Sequence, residues 1–241
     1  MSADAFATTH WSLVLGAKDE GGDRAGDALA ELCRIYWPPL YAWLRRNGYS
    51  AADAEDFVQG FFERFVAREY LQGVEREKGR FRCFLIGALR HHVLHTHRHD
   101  RAQRRGGSAA HYGFDEPGVA ERCEAAARSV QDPEVLFDRV WAETVLARAA
   151  RELRREYTES GKERLFEVLR RWLATEARPG DYAEAAPGLG VSEGALAVAV
   201  HRMRQRYRQL VRLQAAHTVS TPEQVDDELR YLLRVLTAAG S

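Results

Sequence analysis

With 241 residues, 45% hydrophobic and 29% charged side chains and a formal net charge of zero, the chain can bury one large core or two small ones. No apolar run approaches the ~20 residues needed to cross a bilayer, and Met1 to Thr9 lacks the basic-then-apolar order of a secretion signal, so a cytoplasmic protein with no membrane partner is expected. Cys33, Cys83 and Cys123 form no C-x-x-C pair, which argues against both a disulfide framework and a structural zinc site.

Apolar residues recur at helical rather than alternating spacing, and Gly and Pro fall between the periodic stretches, so the fold class is all-α. In the first half helices are predicted over 10–16, 24–36, 38–47, 51–68 and 81–99, with Pro38-Pro39 and Gly48-Tyr49 as breaks. Ser50 followed by Asp53 resembles an acidic capping box at the start of 51–68. On that helix Ala54, Phe57, Val58, Phe61, Phe62 and Phe65 share an apolar face, while Asp53, Asp56, Gln59 and Glu63 lie on the other. From Arg76 to Arg105 nine basic residues face only Glu77 and Asp100, so the zero net charge conceals strong segregation.

Residues 106–131 hold Gly106-Gly107 and Pro117-Gly118, few large apolar residues and no sustained period, which predicts a linker. Asp132-Pro133 then supplies an N-terminal cap and a first helical position. Helices are predicted over 133–157, 162–175, 181–186 and 193–213. A final one, opened by Thr221-Pro222, aligns Val225, Leu229, Leu232 and Leu236. Pro187-Gly188 should end 181–186 early, because proline removes a backbone donor.

The segment from Asp181 to Leu196 has the order of a helix-turn-helix: a short helix, a turn at Gly190, Ser192 as cap, then a long helix rich in arginine. Leu196, Val200, Met203, Tyr207 and Leu210 would hold that second helix to its domain. His201, Arg204, Gln205, Arg208 and Arg212 lie opposite, and from His201 to Arg212 there are five arginines and no acid. A planar guanidinium can bridge two phosphate oxygens or the O6 and N7 of guanine, which suits a DNA-facing helix better than mere solvation does.

These residues resemble the extracytoplasmic-function sigma factors of the sigma-70 family. Tyr182-Ala-Glu-Ala-Ala, Leu189-Gly190, Ser192-Glu193-Gly194-Ala195 and Val200-His201-Arg202-Met203-Arg204 resemble the promoter-binding motif of that family's C-terminal domain. Asp53-Ala-Glu-Asp-Phe-Val-Gln59 with Phe62 is similar to its core-binding helix, and Phe81-Arg82, Phe84-Leu85, Ala88 and Arg90 to the helix facing the minus-ten element. The opening Phe6-Ala-Thr-Thr-His-Trp-Ser-Leu-Val and the closing Val225-Asp-Asp-Glu-Leu-Arg-Tyr-Leu look like a branch with a C-terminal extension.

The resemblance implies two helical domains, 1–105 and 133–214, joined by 106–132 and followed by an extension over 215–241. It implies a non-enzymatic sigma subunit of RNA polymerase, without metal or cofactor, whose partners are the clamp helices of the largest polymerase subunit, promoter DNA and, in regulated members, an anti-sigma factor. Asp53, Asp56, Gln59 and Glu63 would bind core polymerase. Arg80, Arg82, Arg90 and Arg98 would hold the opened strands, while Ser192, Glu193, Ala197, His201, Arg202, Arg204 and Arg208 would meet the minus-35 element. Two departures stand out: Ala197 replaces a usual basic residue, which shifts base reading toward apolar contact or DNA shape, and Gly60 replaces a usual acid. His91, His95 and His99 share a helix face, but no carboxylate or thiolate accompanies them at ligand-like spacing. The alternative is a stand-alone helix-turn-helix regulator, which has no need of the 53–62 motif.

Overall fold

The computed structural model describes residues 23–67, 81–100, 122–123, 125–127, 130, 132–219 and 222–238. Every regular element among these residues is helical, as the periodicity predicts. The predicted helix over 10–16, the Phe6–Val14 motif and most of the 106–131 linker lie outside the described residues, but the linker expectation fails at 122–123 and 125–127, which are helical with Cys123, Ala126 and Ala127 buried and Cys123 Sγ 3.6 Å from Pro38 O. The chain forms two compact units, one from the residues up to Thr144 together with those from Ala215 onward, the other from Val145–Gln214. The border between the units falls inside a helix, α4 (Pro133–Glu159), and the residues from Ala215 onward belong to the first unit.

The first unit is built around α1 (Asp23–Arg46), α2 (Ala51–Val66) and α3 (Phe81–Asp100), with α2 packed against both of the others. Ile35, Tyr36, Trp37, Leu40, Tyr41, Ala42, Trp43 and Leu44 are all buried, so this stretch of α1 is enclosed on every side. The break expected at Pro38-Pro39 does not occur, and one helix runs through both prolines. An interior proline costs about 3 kcal/mol, whereas each large apolar side chain buried here contributes about 1.5–3 kcal/mol. Packing on both sides of the prolines outweighs the lost backbone bonds. The helix ends as predicted at Gly48, whose φ of 90° lets its N–H reach Arg45 O at 3.2 Å and the Tyr49 N–H reach Leu44 O at 3.2 Å.

α2 opens on Ser50, whose Oγ accepts from the Asp53 N–H at 3.1 Å and donates to the Asp53 carboxylate at 2.6 Å. Its inward face is the predicted one, with Ala54, Val58, Phe61, Phe62 and Phe65 buried. α8 (Val225–Ala238) completes the unit. Val225 and Leu232 are buried and Leu229 packs on Ala216, Val219 and Val225.

The second unit contains the end of α4, α5 (Glu163–Leu169), a 3-10 turn over Arg170–Trp172, α6 (Asp181–Leu189) and most of α7 (Glu193–Ala216). Leu153, Phe166, Leu169, Trp172, Leu196, Val200 and Met203 form its interior. α6 does not stop at Ala186 but continues through Pro187 to Leu189. Gly190, with a φ of 66°, closes it by donating to Pro187 O at 3.1 Å while the Val191 N–H donates to Ala186 O at 3.2 Å. This double closure uses the proline's carbonyl and makes no demand on its missing N–H.

Candidate nucleic-acid interface

On α2 the polar residues singled out from the sequence do share the outward side. Asp53, Glu55 and Asp56 are exposed, and the half-buried Gln59 donates to Glu63 Oε1 at 3.2 Å. The surface is acidic with few long cations, because the opposite side of the helix is committed to phenylalanine packing. Gly60 lies beside His92: a Cβ built on it would lie 3.4 Å from His92 Nε2, in ordinary van der Waals contact.

One arginine of α3 is placed differently from expectation. Arg82, expected to meet a DNA strand, is buried. Its Nε lies 3.0 Å from Asp138 Oδ1 of α4, its Nη1 pairs with Glu228 Oε1 of α8, and its guanidinium sits 4.1 Å from the Tyr231 ring centroid and 5.1 Å from that of Trp141. The Tyr231 hydroxyl in turn donates to Asp138 Oδ2. A cation taken out of water needs this number of compensating partners, and none of the four acidic and aromatic contributors from α4 and α8 was identified from the sequence. One signal was present: Glu228 lies three residues after Val225 and four before Leu232, on the stripe that packs inward. Arg90 is exposed, 2.5 Å from Glu134 Oε1 and 5.4 Å from the Trp43 ring centroid. Arg80 and the side chain of Arg98 lie outside the described residues.

The histidines of α3 separate into two groups. His92 is buried among Phe57 and Phe61, whose ring centroids lie 6.5 and 6.0 Å away. Burial first, then the positive charges of Arg64, His95 and His91, lowers its pKa from 6.5 to about 4. His91 and His95 are exposed, their ring centroids 6.1 Å apart. Among the described residues no three His, Cys, Asp or Glu side chains converge as a metal site would require.

In the second unit, α6 and α7 are joined by a three-residue turn, Gly190–Ser192. Ser192 Oγ accepts from the Ala195 N–H at 3.2 Å, the predicted cap. At the other end of α6, Asp181 Oδ2 accepts from the Arg178 N–H at 2.8 Å and from the Trp172 indole at 3.3 Å, which holds its carboxyl below the usual range. Arg164 donates to Gly188 O at 3.1 Å, so α5 and α6 are fastened together.

Leu196, Val200, Met203 and Leu210 point α7 inward, with Tyr207 half-buried and donating to Leu146 O at 3.2 Å. The outward side carries Glu193, Gly194, Ala195, Val198, His201, Arg202, Gln205 and Arg208, all exposed, with Ala197 half-buried beside them. Arg204, expected on this surface, is half-buried and donates to Trp172 O at 2.8 Å and Thr175 O at 2.7 Å. Arg206 leans the other way and pairs with Glu156 through two nitrogens, at 2.9 and 2.5 Å. Of the five arginines in this stretch, the structure exposes Arg202 and Arg208 in line with His201.

Among the described residues no helix is long and apolar enough to cross a membrane. No protein-family model matches the chain, and neither a curated protein nor a solved structure was found to match it.

Proposed function

We propose that this chain is a sigma subunit of bacterial RNA polymerase, of the extracytoplasmic-function type, acting in the cytoplasm and without catalytic chemistry of its own. The observation that carries this reading is the division of exposed charge between the units. Asp53 and Asp56 stand exposed on α2 in the first unit, with Gln59 and Glu63 half-buried beside them, and Arg202 and Arg208 stand exposed with His201 on α7 in the second.

The two surfaces suit different partners. Carboxylates repel phosphate and suit a basic protein surface, here the clamp helices of the largest polymerase subunit. The α7 face, preceded by a capped three-residue turn, has the order of a helix-turn-helix and suits a duplex groove, with Arg202 and Arg208 on phosphates and the residues from Ser192 to Val198 toward the bases. Arg90, exposed on α3, is the described residue best placed to meet a strand of the opened promoter, provided that strand displaces Glu134.

Run-off transcription with purified core polymerase tests the proposal. The protein should direct initiation from a defined promoter, and Asp56→Ala with Gln59→Ala should abolish core binding without loss of helix content. A chain that ignores core polymerase but binds duplex DNA is a stand-alone regulator, and the proposal falls.

A further inference from the structure

We propose that the base-reading end of α7 recognises the 5-methyl groups of thymine through Val198 and Ala195, so that this chain selects a thymine-bearing duplex element instead of reading guanine through arginine. The inference rests on the reading of α7 as a DNA-binding helix and deepens it by naming what that helix reads.

Three observations converge on it. First, the long donors are missing where a helix entering the groove by its first turns would meet base edges. Arg204 is committed to the carbonyls of Trp172 and Thr175, Ala197 supplies only a methyl, and Ser192, whose Oγ accepts from the Ala195 N–H, has only a short hydroxyl to offer. Second, what this end does expose is apolar. Val198 is 49% exposed on a helix whose neighbouring Leu196 and Val200 are almost completely buried, and Ala195 is exposed one turn before it. Ala195 and Val198 are three residues apart and so share one side of the helix.

Third, the partner that would cover this patch is chosen by the charge continuous with it. His201 and Arg202 follow Val198 by three and four residues, and Arg208 lies further along the same side. An apolar spot leading into His201 and the exposed guanidinium groups of Arg202 and Arg208 fits a surface with methyl groups beside phosphates. In the major groove thymine is the base that offers an apolar group, at C5.

The test uses the full chain, alone and with core polymerase, to select from a duplex library with a randomised centre. The enriched duplex is then remade with uracil in place of thymine, one position at a time, which removes only the methyl. At one or two adjacent positions the affinity should fall about fourfold per methyl, the value of roughly one buried methylene. Val198→Ala should make the protein indifferent to thymine or uracil at one of those positions, while the salt dependence of binding and the helical circular dichroism stay unchanged. Arg202→Ala should instead weaken binding to all sequences alike. Equal affinity for thymine and uracil at every position, or an enriched element whose discrimination survives Val198→Ala in full, overturns the inference and leaves the proposed function standing. If no duplex is enriched under either condition, the proposed function falls and the inference with it.

Discussion

Arg82 of α3 and Glu228 of α8 form an ion pair in the interior of the first unit, with the guanidinium also against the rings of Tyr231 and Trp141. Asp138 shares the guanidinium from α4 at 3.0 Å and also accepts from the Tyr231 hydroxyl. α8 is thereby held on the unit by charge as well as by Val225, Leu229 and Leu232.

Removing Arg82 strands the buried Glu228, which typically costs about 3–5 kcal/mol, while removing Glu228 leaves Arg82 with Asp138 alone as counter-charge and costs less. Arg82→Met should lower the urea midpoint by a corresponding amount, Glu228→Ala by less, and Tyr231→Phe by the amount of one hydrogen bond, about 1 kcal/mol. In a double-mutant cycle, Arg82→Met with Glu228→Ala should cost less than the sum of the single changes, because neither charge is then stranded. Strict additivity would contradict the pairing.

His92 makes the first unit sensitive to acid. Its folded pKa lies near 4, against 6.5 for the free side chain, so between those values the unfolded chain binds the proton and the folded one does not. The neutral ring's contribution is complete above pH 6.5 and is lost as pH falls toward 4, at up to about 1.4 kcal/mol per pH unit. Urea unfolding at pH 7.5, 6 and 5 should show the decline, and His92→Leu should remove most of it. An unaltered slope in that variant would assign the acid sensitivity elsewhere.

Gly60 sits inside α2 with open backbone geometry, and its added Cβ would meet His92 at 3.4–3.6 Å, ordinary contact distances. Helix propensity then decides the sign. Gly60→Ala should stabilise the protein by roughly 0.5–1 kcal/mol, visible as a raised thermal midpoint. Destabilisation would mean that the imidazole cannot yield the space.

The arginines of α7 should divide by role. Arg202→Ala and Arg208→Ala should each reduce the slope of log affinity against log salt by about 1, since each removes one phosphate contact. Arg204→Ala should leave that slope unchanged and lower stability instead, because its partners are the carbonyls of Trp172 and Thr175. A matching loss of slope for Arg204→Ala would place it on the DNA.

Local patterns on single helices were legible in the sequence: the phenylalanine face of α2, the Ser50 and Ser192 caps, the glycine closures and the inward stripe of α7. What could not be read was tertiary. Pro38-Pro39 reads as a break until the flanking aromatic residues are known to be buried. Pro187 reads as a stop, yet the helix runs two residues past it to a closure in which Gly190 donates to Pro187 O and Val191 to Ala186 O. Arg82 is indistinguishable in sequence from the exposed Arg90, because the acid that buries it lies 146 residues away. Arg204 is drawn inward by two backbone carbonyls, and carbonyls carry no sequence signature.

The first unit is discontinuous along the chain, since Val145–Gln214 intervene before the segment that carries Glu228. During synthesis on the ribosome the second unit therefore emerges complete while Arg82 still waits for its carboxylate from α8. A nascent chain stalled before residue 225 leaves that guanidinium without Glu228 or Tyr231. The order of maturation is thus reversed relative to the order of translation: the half that begins first finishes last.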